Sequence, residues 1–236
     1  MHIAPGNLHY DRSEKVYRAS THFRPKLTPA DSQMFLSQML AMNTHAPPFS
    51  LSYIGWYPPH EVVRFPTRQI RADILIRTFW AIRDQEDLEI SYQSMREPDA
   101  IRRWIAPHAI AFDGSRWHAR AWCHQNNEFR DFVFARIQAI YNARRSQVDA
   151  HSDTYWHRMG TVVLRPSQKL TPQQRAAIEM EFGMHDGYLH VSMREALIHY
   201  FVRQLHLHGG EQSAASQPLE WVNEHEFDSI MQKARK

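Results

Sequence analysis

Cysteine, glycine and lysine are scarce in this 236-residue chain, and each scarcity excludes something. A single cysteine, Cys123, cannot build an internal disulfide framework and fits a reducing cytoplasm. The eight glycines form no Gly-rich phosphate loop, and neither GxSxG nor HExxH occurs. No apolar run approaches the roughly 18 residues that a membrane span needs. The opening MHIAPGNLHY lacks the apolar core of a secretion signal. Sixteen histidines include no set at zinc-site spacing. Cys123 alternates into an apolar face, where thiols are usually inert. Paired carboxylates are missing from the strand-rich middle, so acid–base and metal-assisted chemistry do not assemble from spacing. The expectation is a cytoplasmic protein that is not an enzyme, carries no cofactor or metal and touches no membrane.

The shortage of lysine has a positive side. Of the 28 basic residues only 5 are Lys and 23 are Arg, against 25 acids, for a net charge of +3. From Arg96 to Arg145 there are nine Arg, no Lys and five acids. Arg suits planar, bidentate contact with phosphate or carboxylate. A GC-rich genome explains abundant Arg, but not its placement along a strand.

Periodicity divides the chain. LHYDRSEKVYRA reads as a hairpin with Asp11-Arg12-Ser13-Glu14 as its turn. A lone hairpin is marginal in water and needs a partner. A helix follows, with Thr28 as N-cap, Pro29 at N1 and Phe35, Leu36, Met39 and Leu40 as its apolar stripe. Residues 44–68 hold five of the thirteen prolines and read as an ordered linker pinned by Trp56 and Tyr57. A second helix spans about Gln69 to Gln85, with Ile70, Ile74, Leu75, Phe79 and Ile82 inward.

From Leu88 the period becomes two. LEISYQSM, RRWIAPHAIAF, RWHARAWC and RDFVFARI alternate as strands, divided by turn-forming residues, and suggest a small barrel or curled sheet. Residues 143–157 read as a polar connector. RMGTVVLRP, TPQQRAAIEMEF, DGYLHVSM, REALIHYFVRQL, PLEWV and NEHEFDSIMQKA then give a β-α-β-α-β-α order, a separate small α/β unit. Thr171 with Gln174 forms a capping box, Asn223 caps the last helix, and 209–217 is a flexible loop.

RWHARAWC is the most informative segment. Trp117, Ala119, Ala121 and Cys123 share one parity and read as core. Arg116, His118, Arg120 and Trp122 share the other. Neighbouring strands add Tyr92 and Ser94, Arg102 and His108, and Arg130 and Arg136 on the parity of Phe132. Each alone is an ordinary surface side chain. Together they suit an anionic ligand with a flat part, a nucleotide or a short nucleic acid.

The run RRWIAPHAIAFDGSRWHARAWCHQNNEFRDFVFARI resembles the WYL domain of bacterial transcriptional regulators, with Trp117-His118-Ala119 in the place of Trp-Tyr-Leu. YQSM with RRWIAPH resembles the subgroup found beside phage-defence operons. APGNLHYDRSEKVYRA is similar to the end of that subgroup's winged helix-turn-helix, and residues 156–236 to its C-terminal dimerisation domain. The resemblance implies an α+β protein: a small Sm/SH3-like barrel at 69–145 that senses a ligand, a dimerisation unit at 156–236, and a helix with Pro-rich linker at 28–68. It further implies that residues 1–27 are a wing hairpin whose preceding helices are absent, leaving Arg12 and Lys15 for DNA phosphates. By motif position Tyr92, Ser94, His108, Trp117, His118, Arg120, Arg130 and Arg136 line or flank the ligand pocket. Parity instead assigns Trp117 to the core. His118 departs from the family's Tyr and adds a group that titrates near neutrality.

The reading is therefore a homodimeric, effector-responsive transcriptional regulator, a repressor, whose barrel binds a nucleotide or nucleic acid and controls a DNA-binding head. The alternative is direct binding of single-stranded nucleic acid by the barrel, without a small effector.

Overall fold

The computed structural model describes residues 4–24, 26, 31–43, 58–63, 66–207 and 217–235. The chain divides into two compact units, Met1–Pro66 and Thr67–Lys236. In the first, β1 (Leu8–Asp11) and β2 (Val16–Ala19) form the expected antiparallel hairpin. Asp11 shapes its turn by accepting from the Ser13 and Glu14 amides, and Lys15 takes the left-handed conformation at φ 55°. Helix α1 spans Ser32–Asn43. The Asp31 carboxylate accepts from the Gln33 and Met34 amides and so caps it. Thr28, Pro29, Trp56 and Tyr57, given capping and pinning roles above, lie outside the described residues.

The second unit opens with α2 (Ala72–Asp84), three residues later than the apolar pattern predicts. Ile74, Thr78 and Ala81 are its buried residues, while Phe79, expected inward, is 47% exposed. Five antiparallel strands follow: β3 (Glu86–Tyr92), β4 (Ile101–Phe112), β5 (Trp117–Cys123), β6 (Glu128–Val133) and β7 (Ile137–Arg145). Their order is β6-β5-β4-β3-β7, with β6 and β7 at the edges, so the expected closed barrel is not found among the described residues. The fifth strand was not expected. Its pairing with β3 shifts register twice, and those irregularities break the period of two that would have revealed it. The α2 side of the sheet buries Ile74, Leu88, Ile90, Tyr92, Ile105 and Phe132 in one core. Each such side chain removed from water contributes about 1.5–3 kcal/mol.

Of residues 143–157, read as a polar connector, the first three belong to β7, and the rest hold a 3-10 turn at Ala150–Ser152 and the short helix α3 (Thr154–His157). The C-terminal elements are β8 (Met159–Pro166), α4 (Pro172–Glu181), β9 (Leu189–Arg194), α5 (Glu195–Gln204), β10 (Leu219–Trp221) and α6 (Asp228–Arg235). The strands form an antiparallel sheet of order β10-β8-β9 with its own core, including Val162, Leu164, Ile198, Val202 and Phe227. Thr171 and Gln174 make the expected capping box on α4. Asn223 makes no side-chain cap. Its carboxamide instead accepts from the Val163 amide and the Trp221 indole and donates to the Thr161 carbonyl, locking β8 to β10. All but Gln217 of the loop expected at 209–217 lies outside the described residues.

Candidate functional site

Strand β5 is buried on both faces, which parity alone did not indicate. Ala119, Ala121 and Cys123 enter the α2-side core. His118 and Arg120, on the opposite face, are 1% and 5% exposed. Trp117, placed in the core by parity, is 49% exposed at the strand's start and packs on Phe112. Strand ends escape the alternation because no neighbouring layer covers them.

The cover over His118 and Arg120 comes from α3, α5 and the segment before them. Arg120 Nε donates to Asp153 Oδ2 at 2.7 Å and Nη2 to Asp153 Oδ1 at 3.0 Å. Its Nη1 donates to Asp131 Oδ1 on β6 at 3.3 Å. His108 Nε2 lies 3.0 Å from the same Asp153 carboxylate. Tyr200 of α5 donates its hydroxyl to Asp131 Oδ2 at 3.0 Å. Burial opposes the Arg120 charge, yet the hydrogen bonds to Asp153 and the two nearby carboxylates outweigh it and raise its pKa. Burial likewise works against ionised Asp153, but His108 and Arg120 hold its pKa well below the usual carboxylate range. Arg120 is thus an inward-facing cation neutralised by two carboxylates, a structural clamp rather than a free anion receptor.

A second cluster adjoins it. Asp113, after β4, accepts from the Ser115 and Arg116 amides, from Arg116 Nε, and faces His118 Nε2 at 3.0 Å. Burial opposes its charge, but the His118 and backbone hydrogen bonds lower its pKa to about 2. Burial lowers the His118 pKa despite Asp113, which moves its titration below the ordinary imidazole range. Its Nδ1 has no hydrogen-bond partner among the described residues, and its ring lies 5.0 Å from that of Tyr200. Gly114, at φ 88°, brings the β4–β5 turn so close to α5 that a Cβ there would stand 2.6 Å from the Gln204 amide.

The remaining expected residues scatter. Tyr92 is buried in the core, its hydroxyl accepting from the Val133 amide. Ser94 accepts from the Arg96 amide, and Arg136 lies nearby, its carbonyl bonded to the Gln93 amide. Arg130, 39% exposed, pairs with Glu128. It opens onto a cavity of about 280 Å³ between β6 and the C-terminal elements, with Phe129, Asp131, Tyr155, His199 and Tyr200 in its walls. A larger cavity of about 340 Å³ includes His108, His151, Glu86 and Asp149 but neither Arg nor Lys. Arg12 and Lys15 are exposed in the β1–β2 turn. Asp131, Asp153, His199 and Tyr200 were missed from the sequence. Asp131 is the cross-strand partner of Arg120 on β6, whereas Asp153, His199 and Tyr200 lie far along the chain and come in with the packing of α3 and α5 on the sheet.

Three domain families match the chain: the BrxR transcriptional regulator winged helix-turn-helix domain over residues 1–41, the WYL domain over 73–141, and the BrxR transcriptional regulator C-terminal dimerization domain over 159–227. They define a WYL-type transcriptional regulator. The chain is 34% identical to the DNA-binding transcriptional repressor CapW of Escherichia coli (strain KTE188) over 218 residues, 92% of this chain and 73% of that protein. It is 37% identical to CapW of Pseudomonas aeruginosa and 35% to CapW of Stenotrophomonas maltophilia, each covering 87% of this chain and 69% of the relative. The chain belongs to the CapW family. The winged-helix domain, expected as a wing remnant, is present though short, and its match takes in α1 as far as residue 41.

Proposed function

We propose that this chain is a homodimeric, DNA-binding transcriptional repressor of the cytoplasm, not an enzyme, whose WYL domain answers an anionic effector of nucleotide or nucleic-acid type. The CapW relatives are named DNA-binding transcriptional repressors, and the C-terminal match is to a dimerisation domain. The observation that carries the effector reading is the seam at β5 and β6. Arg120 ties the sheet to Asp153, and Asp131 ties it to Tyr200 of α5. A ligand that disturbs Arg130 or Asp131 therefore alters how the WYL sheet holds the dimerisation domain. An effector acts by favouring one of two such arrangements, and its reach is limited by its differential affinity for them.

The seven candidate residues divide under this reading. Arg120, His108 and His118 transmit through their carboxylate partners, Tyr92 supports from the core, and Arg130 contacts the effector. Ser94 and Arg136 form a second, more distant polar pair. The test is fluorescence anisotropy of a labelled DNA fragment from the promoter of its own gene, titrated with nucleotides and with short single strands. Specific binding by a dimer, released by one of these anions, is the expected result. A monomer in light scattering, or DNA binding indifferent to every anion, contradicts the reading.

A further inference from the structure

We infer that the effector site is shared between two domains: a single nucleotide occupies the cavity of about 280 Å³, its phosphate on Arg130 and its base against Phe129 and Tyr155, beneath His199 and Tyr200. This rests on the effector reading above and names the site and ligand size. His199 and Tyr200 belong to the region matched as the dimerisation domain, and Tyr155 to α3. The site is incomplete without them.

Three observations single out this cavity. First, Arg130 is the cation there still open to exchange. Arg120 is held by two buried carboxylates, whereas Arg130 pairs with a single, partly exposed Glu128. A surface pair of this kind contributes little, so a phosphate displaces Glu128 at small cost. The larger cavity has no Arg or Lys to offer. Second, the size discriminates between ligands. Small-molecule sites begin at roughly 300 Å³, which this cavity approaches, while strand-binding folds engage about 4–16 nucleotides. A site of this size suits one nucleotide better than a strand. Third, the walls are mixed. Phe129 and Tyr155 are flat and apolar enough to take a base face. Asp131 offers a carboxylate to an exocyclic amine, in place of the Tyr200 hydroxyl it now accepts from. Burial lowers the His199 pKa to about 4, so its imidazole is neutral and does not add to the positive charge.

The experiment is calorimetric titration of the full chain with AMP, CMP, GMP and UMP, with inorganic phosphate, and with an oligothymidylate of about ten residues, the middle of the strand range. Wild type is compared with Arg130→Ala, His199→Ala, Ala196→Leu and, as a control, Arg83→Ala, an exposed cation on α2 that pairs with Asp84. Ala196 is a buried wall residue, so a larger side chain there fills the cavity from α5. The expected result is that a mononucleotide binds more tightly than phosphate or the oligonucleotide. Arg130→Ala, His199→Ala and Ala196→Leu each weaken it at least tenfold, and Arg83→Ala leaves it unchanged. Thermal melting of each variant guards against misfolding, and His199→Ala alone suffices if Ala196→Leu melts early. Full binding by His199→Ala and Ala196→Leu, with loss in Arg130→Ala, overturns the shared site and leaves a WYL-only effector site standing. Tighter binding of the oligonucleotide overturns the single-nucleotide assignment. No binding of any anion defeats both this inference and the effector reading.

Discussion

Arg120 shows how one residue changes meaning when its partners are known. Its guanidinium is 6% exposed between Asp131 and Asp153. Truncating one member of a buried charge set leaves the others uncompensated, which costs about 3–5 kcal/mol. Arg120→Ala is therefore expected to destabilise the fold by that amount in urea denaturation, and a loss under about 1 kcal/mol would show the clamp to be slack. Acid sensitivity follows from the same neighbourhood. His199 has a folded pKa near 4 against an ordinary 6.5, so the unfolded chain takes up its proton first. Its contribution is complete above pH 6.5 and is lost as pH falls towards 4, by up to about 3 kcal/mol at 1.36 kcal/mol per unit. The Asp113 and Asp153 carboxylates, both depressed, hold full stability above their unfolded value of 3.8 and lose it as pH falls below that. Urea midpoints measured from pH 7 to 3 should decline in two stages, and His199→Gln should shrink only the upper one, to which His118 also contributes. The sequence made Arg120 stand out, because its strand carries a row of cations. It did not reveal that the row is neutralised, since Asp131 and Asp153 sit 11 and 33 residues further on.

At the level of elements, local signals were legible wherever one layer of packing decided the outcome. The capping box of α4, the β1–β2 hairpin and the alternation of β4 to β6 all follow from short-range chemistry. Strand β7 and the two-sided burial of β5 do not, because bulges and a second covering layer override the alternation. Strand β8 gives a sharp test of such covering. A Cβ on Gly160 would stand 2.7 Å from a ring carbon of Phe227 and 2.8 Å from Ile198 Cδ1. Both are core side chains with little room to yield. Gly160→Ala should therefore lower stability by about 1–3 kcal/mol through overpacking, although alanine suits a strand better than glycine. Calorimetric melting decides it: an unchanged or raised melting temperature would mean that β8 can shift away from α5 without cost.

For the whole molecule, the three-part organisation was legible from family-like frames, while the mechanical relation of sheet to dimerisation domain was not. That relation depends on Tyr200 and Asp153, ordinary residues until folding aligns them. The DNA end of the proposed function can be tested independently of the effector. The hairpin turn carries Arg12 and Lys15, both exposed, and neither enters an ion pair with Asp11, which pairs with Arg18. A residue that touches phosphate adds about 0.9 to the slope of log affinity against log salt, whatever the base sequence. The pair Arg12→Ala and Lys15→Ala should therefore reduce the slope by about 2 and weaken specific and non-specific DNA alike. Dimerisation, assigned to the other end of the chain, should be unaffected in light scattering. An unchanged slope would place the phosphate contacts elsewhere on the winged-helix domain. A lost preference between specific and non-specific DNA would mean instead that the hairpin reads bases.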